Sequence, residues 1–183
     1  MNILGEILGA QDGRLLRQLS AQFGLGEADT RNAVSSLLPG ISQGMKRNMQ
    51  SQSGLESLLS ALNQGNHGRY VDEPSTLGEE ASTLDGNQIL GHLLGSKDAS
   101  REVANRAASS TGLDLSILKK MLPLVAGMAM GSMGKRANAV GGVSQLSDGG
   151  ASDLLGGLSS FLDMDGDGSI ADDVLGLAKK FIR

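Results

Sequence analysis

The chain has 183 residues, a formal net charge of −4 and no cysteine, which removes disulfides, thiolate catalysis and Cys-based zinc sites. So mild a charge marks neither a polyanion nor an acidic membrane surface as an obvious target. With no Trp, one Tyr, three Phe and 27 Gly, the core must come from Leu, Ile, Val, Met and Ala, and each Gly inside a helix costs about 0.5–1 kcal/mol relative to Ala.

That combination predicts marginal stability for a lone chain, which self-association, a protein partner or a metal would offset. At the amino terminus, MNILGEILGA carries Glu6 where a secretion signal would carry positive charge. No signal peptide is read there, and a cytoplasmic location is expected, with export by a non-standard route as the alternative.

Wherever the chain is periodic, the period is helical. Leu15, Leu19 and Phe23 repeat every four residues, as do Ile41, Met45 and Met49. Leu55, Leu58, Leu59 and Leu62 follow at i, i+3, i+4 and i+7; Ser53 with Glu56 reads as their capping box and Gly65 as their stop. Residues 65–86 hold Pro74, several Gly and the acidic pairs Asp72-Glu73 and Glu79-Glu80, a linker composition.

Beyond the linker, ILGHLLG opens a second helical run, and Met121 to Met133 form the longest apolar stretch. At 13 residues, interrupted by Pro123, it falls short of the ~20 that a membrane-spanning helix needs and reads as a core helix. A further Gly-rich break, 141–150, precedes two short stripes: Leu154, Leu155, Leu158, Phe161 and Leu162, then Val174, Ala178, Phe181 and Ile182. No segment has the alternating, β-branched pattern of a strand, so an all-α fold is expected.

The two halves echo each other. Ile3, Leu4, Gly5, Leu8 and Gly9 match Ile89, Leu90, Gly91, Leu94 and Gly95 at an offset of 86, which Asp12 and Asp98 share. Each copy continues through Gly24-Leu25 or Gly112-Leu113, then Leu38-Pro39 or Leu122-Pro123, with the second copy shorter by four residues, about one helical turn. The expected organisation is a first repeat at 1–64, a linker at 65–86, a second repeat at 87–140, a Gly-rich linker at 141–150 and a helical hairpin at 151–183.

ILGHLLG, then a helix, then GLD, then LKKMLPLVAGMAMGSMGK resembles the bacterial domain of unknown function numbered 937, the YidB-like family, over most of residues 1–136. The resemblance implies an all-α, internally duplicated multi-helix domain with a homeodomain-like arrangement of some helices, and carries no functional residues with it. A DNA reader needs Lys and Arg for phosphates and Arg, Asn or Gln on an exposed helix face for bases. After Gly112-Leu113 the chain offers Lys119, Lys120 and then apolar residues, so nucleic acid is not the expected partner.

The tail carries the most specific chemistry. An EF-hand loop takes calcium ligands from positions 1, 3, 5, the carbonyl of 7, a water near 9 and an acid at 12, with Gly at 6. Asp163, Asp165 and Asp167 fall at 1, 3 and 5, Gly168 at 6, Ser169 at 7 and Ile170 at the apolar position 8. Position 12 is Val174, so Asp172, with Asp173 second, is the expected closing ligand, as in short DxDxDG loops. Fewer carboxylate oxygens place the affinity in about the sub-millimolar to millimolar class. The competing reading is an acidic turn whose Asp172 and Asp173 favour the dipole of the last helix.

His67 lies in linker sequence and His92 on the ILGHLLG helix, opposite Glu6 in the first copy, a position expected to face solvent. Neither has a nucleophile at local spacing, and no small-molecule substrate is identified. The expected function is a non-enzymatic helical interaction or assembly protein, self-associating, with a calcium-binding tail; the alternatives are a DNA-associated or a membrane-surface protein.

Overall fold

The computed structural model describes residues 3–139, apart from four side chains, at 52, 59, 63 and 64. Among them every regular element is helical: α1 (Ile3–Gly9), α2 (Arg14–Phe23), α3 (Glu27–Met49), α4 (Gln52–Gln64), α5 (Arg69–Asp72), α6 (Glu80–Leu94), α7 (Lys97–Thr111) and α8 (Leu115–Ala139), with tight turns at Ala10–Gly13 and Pro74–Gly78. The second repeat, the Gly-rich linker and the hairpin expected at 87–140, 141–150 and 151–183 are thus described only as far as Ala139.

Helix α8 is the axis of the fold. Met121 through Met133 are all buried, because α6, α3, α7, α1, α5 and α4 pack around that helix. An amphipathic helix buries one stripe, whereas a helix apolar all round is enclosed by its neighbours. Among the described residues no helix is long and apolar enough to cross a membrane.

The stripes read from the sequence become this core: Leu15, Leu19, Ile41, Met45, Met49 and Leu58 are all buried. With few rings available, the described chain fills the space with Leu, Ile, Val, Ala and six buried Met, the last well suited to irregular gaps because their side chains are unbranched.

One connection occurs twice. α2 ends on Gly24 and α7 on Gly112, both left-handed at φ 63° and 73°, and each cap N–H returns to a carbonyl four residues back. Such a cap stops a helix without the penalty that a Cβ would bring. A long helix with an internal Pro follows in each case, Pro39 in α3 and Pro123 in α8. Pro39 lies one turn deeper in its helix than Pro123 does. At the start of α8, Asp114 Oδ1 accepts from the Ser116 N–H at 2.7 Å, a bond that holds this exposed carboxyl below the usual range.

Two expectations shift. The cap of α4 is Ser51, whose hydroxyl accepts from Gly54 N–H at 3.1 Å, and Ser53 already lies inside the helix. Gly54 rather than Glu56 occupies the third helical position, where a Cβ would collide with the Asn48 carbonyl. More consequentially, residues 65–86, expected as a polar linker, contain α5, the Pro74–Gly78 turn and the first half of α6. They bury Tyr70, Val71, Leu77, Ser82 and Gly86. Composition concealed this because the few large apolar residues buried there, Tyr70, Val71 and Leu77, are set among Gly, Ser and charged residues.

Candidate functional site: a part-buried His-Asp-Tyr-Arg cluster

The segment leading into α5 and the second turn of α6 bring four polar side chains together. Tyr70 is fully buried, with its ring against the Gly127 position of α8, where a Cβ would stand 3.1 Å from Cδ2. One turn on, a side chain at Gly131 would run into the His67 carbonyl. The Gly127/Gly131 spacing therefore serves close internal packing of α5 on α8, as small residues four apart on a helix commonly do.

From this anchored position the Tyr70 hydroxyl donates to Asp85 Oδ2 at 2.5 Å and accepts from Arg69 Nη2 at 2.7 Å. His67 Nδ1 lies 3.0 Å from the same carboxylate oxygen. The Arg69 guanidinium also sits over the Tyr70 ring, 4.8 Å from its centroid, a favourable cation–π distance. Burial, then donation to Asp85, pushes the Tyr70 phenol above its ordinary range, while the bond from Arg69 pulls the other way. At the far end of α5, Asp72 Oδ1 pairs with Lys135 Nζ of α8 at 2.5 Å. Both groups are about half exposed, so this pair contributes no more than about 1 kcal/mol.

An imidazole oriented by a carboxylate is one half of a general-base arrangement. Here, however, Asp85 Oδ2 is shared with a phenol locked in the core. The cluster links α5 to α6 across the face of α8, and a connected, part-buried network of this kind favours one packing over its competitors. Two buried side-chain atoms among the described residues have no hydrogen-bond partner, Arg69 Nε and Ser132 Oγ. An unmatched buried hydroxyl carries a desolvation cost of about 1–3 kcal/mol. Ser132→Ala is therefore expected to stabilise the protein, raising the thermal midpoint by about 2–4 °C for each 1 kcal/mol removed; an unchanged or lower midpoint in a calorimetric scan would contradict this.

Tyr70, Asp85 and Arg69 were not singled out by sequence, since all three lie in the presumed linker. The available signal was Tyr70-Val71, a large apolar pair in a polar stretch, three residues after His67. His92 is exposed, as expected, and faces an open cleft of about 480 Å³ with Glu56, Ser57, Ser60 and Ala61. Its counterpart Glu6 is half-buried, and that burial pushes its carboxyl up against the lowering influence of Lys135 and Arg136. The calcium-loop residues Asp163, Asp165, Asp167, Ser169, Asp172 and Asp173 lie outside the described residues. Within those described, no three His, Asp or Glu side chains gather as a metal site would require.

No curated protein and no solved structure matches the chain. A family model does, over residues 3–136, from the first residue of α1 almost to the end of α8. The matched span thus takes in the whole α8-centred core and the cluster that fastens α5 to it, and the chain belongs to the family described as bacterial protein of unknown function (DUF937).

Proposed function

We propose that this protein is a non-enzymatic helical assembly protein that associates with further copies of itself, with a C-terminal loop that binds calcium and steadies the tail. The observation that carries the reading is the outer face of α6. Leu84 is the one large hydrophobic residue of the described chain that is strongly exposed, at 57%. It shares a face with Gln88 and Gly91, both exposed, since these positions follow at i, i+4 and i+7. A Cβ built at Gly91 meets nothing within 4 Å, so a helix from a second copy has room to approach closely there.

Size-exclusion chromatography with light scattering on the full chain tests this. A concentration-dependent oligomer is expected, weakened by Leu84→Glu and by Gly91→Leu; a monomer at all concentrations, or an oligomer indifferent to both changes, would sink it. The repeated connection, helix, left-handed Gly and Pro-bearing helix, supports an internal duplication whose copies pack on each other through α3 and α8.

For the tail, the donor set of Asp163, Asp165, Asp167, the Ser169 carbonyl and Asp172 or Asp173 is all hard oxygen, which suits calcium. Excess calcium is expected to raise the thermal midpoint and helical signal of the full chain relative to chelator, and Asp165→Asn to abolish the difference. Identical melts in calcium and chelator would remove the metal from this account.

A DNA-associated role is the second reading, favoured by the two helix–turn–helix connections, whose three-residue turns open on Gly24 and Gly112. It supposes that they adopt a homeodomain-like arrangement. Against it, the first turn of α3 carries Glu27 and Asp29, which would face phosphates. A gel-shift assay is expected to show no complex at physiological salt, and a salt-resistant complex would reverse the ranking. Membrane-surface binding through Met121 to Met133 would require opening the core, since all of those residues are buried.

A further inference from the structure

The arginines at the start of α2 point to a ligand that the assembly reading does not use. α2 and the Pro74–Gly78 turn border an open cleft of about 400 Å³ lined by Arg14, Arg17, Gln18, Pro74 and Ser75. That volume lies within the range of small-molecule sites. No carboxylate is among the lining residues, and the ion pairs of the described chain, His67–Asp85, Arg101–Asp98, Arg106–Glu102 and Lys135–Asp72, leave Arg14 and Arg17 without one.

Both guanidiniums are exposed and bond to neutral oxygens. Arg14 donates from Nε to the Gln11 carbonyl at 3.2 Å and from Nη2 to Gln11 Oε1 at 2.8 Å, and Arg17 donates from Nη2 to the Asp12 carbonyl at 3.2 Å. Those acceptors are presented by Gln11 and Asp12, which are left-handed at φ 53° and 55°, a conformation costing about 1–2 kcal/mol for a residue with a Cβ. Each guanidinium has five donors. Arg14 thus keeps most of its fork, and Arg17 nearly all of it, for a further acceptor. Two guanidiniums without a carboxylate partner line one cleft, and an oxyanion is the ligand whose paired acceptors such donors take bidentately.

We propose that this cleft binds a small phosphoryl-bearing molecule, with its phosphoryl oxygens between Arg14 and Arg17, Gln18 and Ser75 as neutral donors, and the Pro74 ring as the apolar wall. The test is a calorimetric titration of the full chain with pyrophosphate at low ionic strength. Saturable one-to-one binding is expected. Arg14→Gln and Arg17→Gln each weaken it by about tenfold or more, Arg17→Lys weakens it less because charge is kept and the fork lost, and Arg101→Gln, at an exposed pair on α7, leaves it unchanged.

Because both arginines also brace the Gln11–Asp12 turn, Ser75→Ala on the opposite wall supplies an independent arm. It is expected to weaken binding by about threefold or more with the thermal midpoint unchanged. Non-saturating heats, equal losses in Arg101→Gln, or full binding by Ser75→Ala together with either Arg→Gln variant would overturn the proposal. The self-association measured by light scattering is untouched by any of these results.

Discussion

Gly91→Ala is expected to stabilise this protein and Gly86→Ala, five residues earlier on the same helix, to destabilise it. At Gly91 the added Cβ meets nothing within 4 Å, so only the helix propensity changes, a gain of about 0.5–1 kcal/mol. At Gly86 the same atom would stand 2.5 Å from the Pro123 carbonyl carbon and 2.9 Å from its Cα, and closer still to the carbonyl oxygen. These are backbone atoms of the most enclosed helix in the fold, and they have nowhere to retreat. Forcing an extra methyl into such a contact costs about 1–3 kcal/mol or more, which exceeds the propensity gain.

For a chain of this size the thermal midpoint moves by about 2–4 °C for each 1 kcal/mol. A rise of a few degrees for Gly91→Ala and a larger fall for Gly86→Ala are expected, measured at a protein concentration low enough that association does not contribute. Two rises would mean that α6 does not cross α8 this closely. The contrast is informative because chemistry, helix and propensity change are shared, and only the neighbour differs.

Gly86 also shows where the sequence was readable and where it was not. Stripes of Leu, Ile and Met mark the inward faces of α2, α3 and α4 directly, because a large apolar residue at helical spacing has one cheap place to go. Met121 to Met133 were legible as a core helix for the same reason. The region from Gly65 to Gly86 was not, because α6 crosses α8 closely at Gly86, and the absence of bulk that permits a close crossing looks, in sequence, like the absence of structure.

The same blindness covered the candidate cluster. Asp85 and Arg69 read as linker charges until Tyr70 is seen buried between them, and nothing in local spacing joins His67 to a carboxylate 18 residues away. By contrast, the Asp163–Asp173 run stands out in the sequence itself, because the residue types that a calcium loop would need recur at fixed intervals within one short segment. Local constraints can be read from a sequence; contacts between distant small or polar residues need the fold.

Tyr70 offers the largest expected effect and the cleanest readout. Tyr70→Ala removes a fully buried ring, a change that costs about 3–5 kcal/mol in comparable cores, against a total stability of only about 5–15 kcal/mol for a typical domain. Tyr70→Phe keeps the ring on Gly127 and deletes only the hydroxyl bonded to Asp85 and Arg69, with an expected cost of about 1–3 kcal/mol. The pair thus separates packing from polar fastening.

Their pH dependence separates them further. The folded phenol titrates above its ordinary value, so an unfolded chain gives up that proton first as pH rises past about 10. The stabilisation is complete below the unfolded pKa and is lost as pH climbs towards the folded one. Wild type is therefore expected to lose stability more steeply than Tyr70→Phe in this alkaline window, the Lys and Arg contributions being common to both. Since Tyr70 is the only tyrosine and the chain has no tryptophan, phenolate absorbance reports this one group. It should emerge at higher pH in native than in urea-unfolded protein, and coincident titrations would show that the hydroxyl is not held in the core by Asp85.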